Sequence, residues 1–69
     1  MAAILGSEVT PEHRVWSRLT ERFVTVTDVR PTGRKAMGTD TPMLRIGLGP
    51  DARPAKAIEM PADQTIEVE

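Results

Sequence analysis

Between His13 and Val29 the spacing of apolar residues changes within one short stretch. Val15, Trp16, Leu19 and Phe23 recur at intervals of one, three and four, which lays them along about a 100° stripe of a helix. Thr10 stands where an N-cap belongs and Pro11 at the first helical position. Glu12, in the first turn, complements the helix dipole. The spacing therefore predicts a helix over about 11–22. Phe23 then begins RFVTVTDVR, where valine and threonine alternate as in a strand.

The rest of the chain keeps the two-residue period in short pieces. MLRIGLG places Leu44, Ile46 and Leu48 on one face and Met43, Arg45 and Gly47 on the other. AKAIEM ends at Pro61, and QTIEVE alternates Ile66 and Val68 with acids. PTGR reads as a turn in which Pro31 stops the strand, 35–42 as a loop, and GPDARP as another turn. The expectation is an α+β fold: one N-terminal helix packed on a small antiparallel sheet of three or four strands, near 23–30, 43–48, 55–60 and 64–68. Residues 1–10 form an N-terminal arm or short edge strand, and 11–69 a single domain.

Composition narrows how such a domain holds together. A chain of 69 residues buries only about 60% of the surface that its unfolded form exposes. There is no Cys to form a disulfide, and a single His with no thiol makes a structural zinc site a poor fit. Only Trp16 and Phe23 are aromatic. Stability then rests on a thin core or on association with a partner. MAAILG is too short for a signal peptide and no run of 18 apolar residues occurs. The expected location is cytoplasmic or virion-associated, not secreted and not in a membrane.

The formal net charge of −1 conceals a division. Residues 14–35 carry +4, residues 1–13 carry −2 and residues 36–69 carry −3. Arg14, Arg18 and Arg22 recur every fourth residue and would stack on one ridge of the predicted helix. Such a ridge suits carboxylates or phosphates, or simply covers the core edge with its aliphatic stems. Trp16 lies on the apolar stripe, as core or as an interface anchor. Ile66, Glu67, Val68 and Glu69 form an acidic strand able to extend a neighbouring sheet. These eight residues are the candidate partner-binding set.

Nothing in the sequence points to catalysis. His13 is the only side chain with a near-neutral ordinary pKa, and it falls off the apolar stripe. Ser7 and Ser17 lack a nucleophile context, and GLGPDA and PTGRKAMG lack phosphate-loop spacing. No catalytic, cofactor-binding or metal-ligating residue is expected. VTVTDV followed by LRIGLGPDARPAKAIE is similar in pattern to the strands of the carbon storage regulator family of small RNA-binding dimers. Arg45, Ile46 and Gly47 match, and Glu59 falls at a matching spacing. The family's RNA-contacting arginine, however, would fall at Ile58, and a predicted helix stands in place of the family's opening strand. The likeness is one of β-meander patterning.

The expected function is that of a non-enzymatic protein–protein interaction subunit. The first class is a small structural or accessory component of a larger assembly, of the phage-like virion accessory or capsid-stabilising type. A second is an inhibitory binder of a host complex, such as a phage-encoded defence antagonist. A third is a minor nucleic-acid-binding module using the Arg14, Arg18 and Arg22 ridge. Nucleic acid is the less favoured partner, because the chain is slightly acidic and poor in stacking aromatics. The favoured one is protein, through self-association or a larger complex.

Overall fold

The computed structural model describes residues 2–69. Six strands follow one another: β1 Ala2–Leu5, β2 Arg14–Ser17, β3 Arg22–Lys35, β4 Pro42–Leu48, β5 Ala57–Pro61 and β6 Thr65–Val68. Single 3-10 turns occupy Gly6–Glu8 and Pro50–Ala52. The strands form one sheet in the order β1-β6-β2-β3-β4-β5, with every pairing antiparallel.

The expected N-terminal helix over 11–22 is not present, and the fold is nearly all β rather than α+β. Thr10 does cap, but only a turn: its hydroxyl accepts from the Glu12 amide at 3.4 Å and its carbonyl from the His13 amide at 3.0 Å. From Arg14 the chain runs extended, with Val15 and Ser17 buried and Arg14 exposed on the opposite face. One turn of helical geometry survives at the hairpin, where the Glu21 amide donates to the Ser17 carbonyl at 2.8 Å. Glu21 ends it in the left-handed region at φ 54°.

The reason is competition for partners. An isolated helix of about 12 residues is marginal in water, whereas the β-branched run of β3 leaves a row of backbone groups needing a second strand. Arg14–Ser17 supplies it, with Val15 opposite Val24 in the core and Trp16 opposite Phe23 on the other face. The two rings meet edge to face, 5.3 Å between centroids at 72°, an arrangement that adds about 0.5–1.5 kcal/mol to their burial. Leu19, which a helical stripe would bury, is 64% exposed.

β3 is longer than its sequence pattern implies. It passes through Pro31, expected to stop it, and reaches Lys35. Beyond Val26, whose amide still donates to the His13 carbonyl at 3.4 Å, β3 pairs only with β4, so one of its edges is free. A proline is tolerated on such an edge, where its missing N–H removes no ladder bond. PTGR is thus a bulge rather than a turn. The register shifts between Pro31 and Lys35, and Gly33 sits at φ +81°. The reversal falls later, at residues 36–41.

A second register shift, between Val26 and Asp28, bends the sheet onto itself. Val15, Val24 and Val68 from one half then meet Ile46, Leu48 and Met60 from the other, with Val26 at the bend and Val9 and Ala52 from the connections. No aromatic residue belongs to this core. The residues before β2 are built into the fold, since Ala2–Leu5 pairs with β6 and Val9 is buried.

Two substitutions separate this hairpin from a helix. Ile46→Ala, at a fully buried site, should cost about 2–5 kcal/mol in urea unfolding. Leu19→Ala should change stability by less than about 0.5 kcal/mol, where a core-facing helical leucine would cost as much as Ile46.

Candidate partner-binding groove

β5 and β6 follow each other through a three-residue link, yet they do not pair. β5 continues the half of the sheet begun by β4, while β6 crosses to lie between β1 and β2. β6 meets β2 at one position only, Val15 opposite Val68. Toward Thr65 the two strands diverge, and among the described residues no strand lies beside the outer edge of β5. The result is a half-open groove of about 750 Å³ between β5, β6 and the β2–β3 turn. Met60 is its buried floor, and Trp16, Leu19, Ile58 and Ile66 contribute apolar surface. Arg18, Glu59 and Glu67 bring its charges.

The candidate residues divide between this groove and a second cluster. Trp16, Arg18, Ile66 and Glu67 line the groove. Val68 is 5% exposed and belongs to the core. Arg14, Arg22 and Glu69 lie in the second cluster. No helical ridge of arginines exists, because Arg14 is on β2, Arg18 in the turn and Arg22 at the start of β3. Nor is the acidic strand a free edge, since β1 and β2 flank it.

In the second cluster the chain pairs its own charges, although Asp51 Oδ1 is buried without a hydrogen-bond partner. Arg14 Nη1 donates to Glu69 Oε2 at 2.5 Å and its Nη2 to the Phe23 carbonyl at 3.1 Å. The Asp51 carboxylate lies 3.9 Å from Arg14 and accepts from the Thr25 amide at 3.0 Å and the Thr25 hydroxyl at 2.9 Å. Arg22 donates to the Asp51 carbonyl. Partial burial, the largest single influence, pushes the Asp51 carboxyl upward. The two Thr25 bonds, one from its own backbone and the nearby Arg14 together outweigh it and hold the group below its ordinary 3.8. The Arg14–Glu69 pair is half exposed on both sides, and such pairs contribute at most about 1 kcal/mol. This cluster ties both chain ends of the β6–β2 contact to the Pro50–Ala52 turn.

His13 is half buried, and its Nδ1 accepts from the Thr10 amide at 3.1 Å, which pins the ring against its own turn. Among the described residues no three His, Cys, Asp or Glu side chains converge to hold a metal ion. No helix there is long and apolar enough to cross a membrane. Leu19 and Ile58 are groove residues that the helical reading hides, because it assigns Leu19 to a buried stripe and treats AKAIEM as an ordinary short strand. The signal that was available is Pro61 with the two-residue alternation of Ile58 and Met60, which marks a strand at a sheet edge. No protein-family model, curated protein or solved structure matches this chain.

Because the folded state lowers the Asp51 pKa, its ionised form stabilises the fold above the ordinary value, and that contribution is lost as pH falls through the folded value. Thr25→Val removes the hydroxyl bond and should move the Asp51 midpoint upward. Carboxyl carbon NMR against pH reads it directly, and an unmoved midpoint would show that Thr25 does not hold the charge.

Proposed function

We propose that this chain is a non-enzymatic subunit of a larger protein assembly, structural or accessory in role, and that it engages its partner through the groove. The observation that carries the reading is the pairing of a groove lined by both apolar and polar side chains with an open strand edge. A sheet edge with free backbone groups is a template for another extended segment, and β5 presents one directly beside Ile58 and Trp16. The occupant is a segment of protein chain carrying at least one apolar side chain.

The thin core supports the same reading. Among the described residues nine apolar residues are buried, the largest of them Ile46, Leu48 and Met60, while Leu19 remains open to solvent at the groove. A half-buried tryptophan at the groove beside an arginine is the composition of an interface anchor. The arginines support a nucleic-acid role less well. Arg14 and Arg22 are engaged within the chain, which leaves Arg18 alone of the three without an ion-pair or hydrogen-bond partner among the described residues.

Sedimentation velocity tests the reading on the full chain, alone and with extract of the cells that produce it. A species heavier than the 7.6 kDa monomer should form in at least one condition, resist nuclease, and disappear for Leu19→Arg, which alters an exposed groove residue without touching the core. A monomer under both conditions, a nuclease-sensitive species, or an unaffected Leu19→Arg variant would each contradict it.

A further inference from the structure

The molecule exposes three large apolar side chains among its described residues: Leu5 at 38%, Leu19 at 64% and Met37 at 99%. Leu19 lies in the groove. Met37 lies far along the chain, at the end of the β3–β4 hairpin. We infer that these two belong to one contact repeated between copies, with the hairpin tip of one molecule seated in the groove of the next. This rests on the groove being a protein-binding site and names its occupant.

The tip is built as a narrow knob. The Ala36 amide donates to the Thr41 carbonyl at 2.8 Å and the Thr39 amide to the Ala36 carbonyl at 3.0 Å, so the reversal is closed by its own backbone. Lys35 Nζ donates to the Asp40 carbonyl at 3.1 Å. Gly38 takes the left-handed φ of 76°, and a Cβ built there would meet nothing within 4 Å. Met37 is thus flanked by small residues and stands clear of the body. A flexible, polarisable thioether suits the irregular apolar surface that Trp16, Leu19, Ile58 and Ile66 contribute to the groove.

Charge distinguishes this docking from the alternatives. The tip carries Arg34 and Lys35 against Asp40, and the groove carries Glu59 and Glu67 against Arg18. Tip to groove joins opposite excesses. Tip to tip would set Arg34 and Lys35 against themselves, and groove to groove would do the same with Glu59 and Glu67, juxtapositions that repel. Neither Arg34 nor Met37 lines the groove of its own molecule. The base of the hairpin is fixed instead to the β5–β6 link, through the Ala62 amide on the Pro42 carbonyl at 2.9 Å and Thr41 on Asp63. The contact uses two different surfaces of each copy; it closes as a two-fold dimer where both tips are seated reciprocally, and propagates into a ring or a filament where they are not.

A charge exchange tests it, read by sedimentation velocity of the full chain. R34E/K35E makes the tip acidic, and E59K/E67K makes the groove basic; all four positions are exposed, so far-UV dichroism should be unchanged. The native chain should associate with rising concentration. Each double variant alone should associate more weakly by at least about a hundredfold, the scale of like charges brought together at an interface. An equimolar mixture of the two should regain association, because acidic tips then meet basic grooves and basic tips acidic ones. Met37→Glu should also abolish it. A native chain that stays monomeric alone, double variants that still associate, or a mixture that stays monomeric would each overturn the inference. If the chain is monomeric alone yet shifts in extract through Leu19, the groove still binds protein and only the self-docking falls.

Discussion

Val24 and Val26 sit two residues apart on β3, both buried, and immediately beyond them the strand bends. Everything else in the molecule is arranged around that strand. Its first half holds β2, its second half holds β4, and the register shift between Val26 and Asp28 turns one half of the sheet over the other. Without the bend, Val15 and Val68 would share no interior with Ile46 and Met60. A chain this short has no second layer to offer, so the sheet must cover itself. Asp28 and Gly47 mark how tight the turn-over is. A Cβ at Gly47 would run into the Asp28 carboxylate, which is itself engaged with Arg30 at 2.9 Å.

Folding one sheet over itself leaves a seam, and the proposed partner site lies along it. β5 ends one half and the β1–β6 pair ends the other, joined only by the link through Ala62 and Gln64. Near that link the halves are close, with Gly6 packed against the Pro61 carbonyl and Met60. Away from it, β6 is held to β2 by Val15 and Val68 and by the Glu69 amide on the Arg14 carbonyl at 2.9 Å. Between these two fixed points the wall opens. The Arg14, Glu69 and Asp51 cluster therefore works at a distance from the groove, by anchoring the strand whose other end forms one side of it.

The strands rich in valine, threonine and alternating isoleucine were legible because their period is local. The alternation of Leu44, Ile46 and Leu48 locates β4 within a residue, and Ile66 and Val68 locate β6. What misled was Val15, Trp16, Leu19 and Phe23, whose spacing fits a helix as well as two short strands joined by one helical turn. Four residues are too few to separate the periods, and the deciding interaction, Val15 against Val24 and Val68, is tertiary. Thr10 and Pro11 suit the start of a helix, but no helix follows them, and the Thr10 hydroxyl closes only a turn that does not propagate. The groove was invisible for a related reason. Its lining comes from three separate segments, and only Trp16, Arg18, Ile66 and Glu67 were singled out, each for a reason tied to a helix ridge or a free edge that the fold does not contain.

The proposed working surface is the seam. Amide hydrogen exchange, followed by mass spectrometry at a concentration where the chain is associated and at one where it is monomeric, tests this most directly. Association should slow exchange in the segments 16–19, 55–60, 64–67 and 33–38, while 8–13 and the buried centre of β3 keep their rates. Slowing centred on 8–13 or on the Asp28 face, or equal rates at both concentrations in every groove segment, would contradict it.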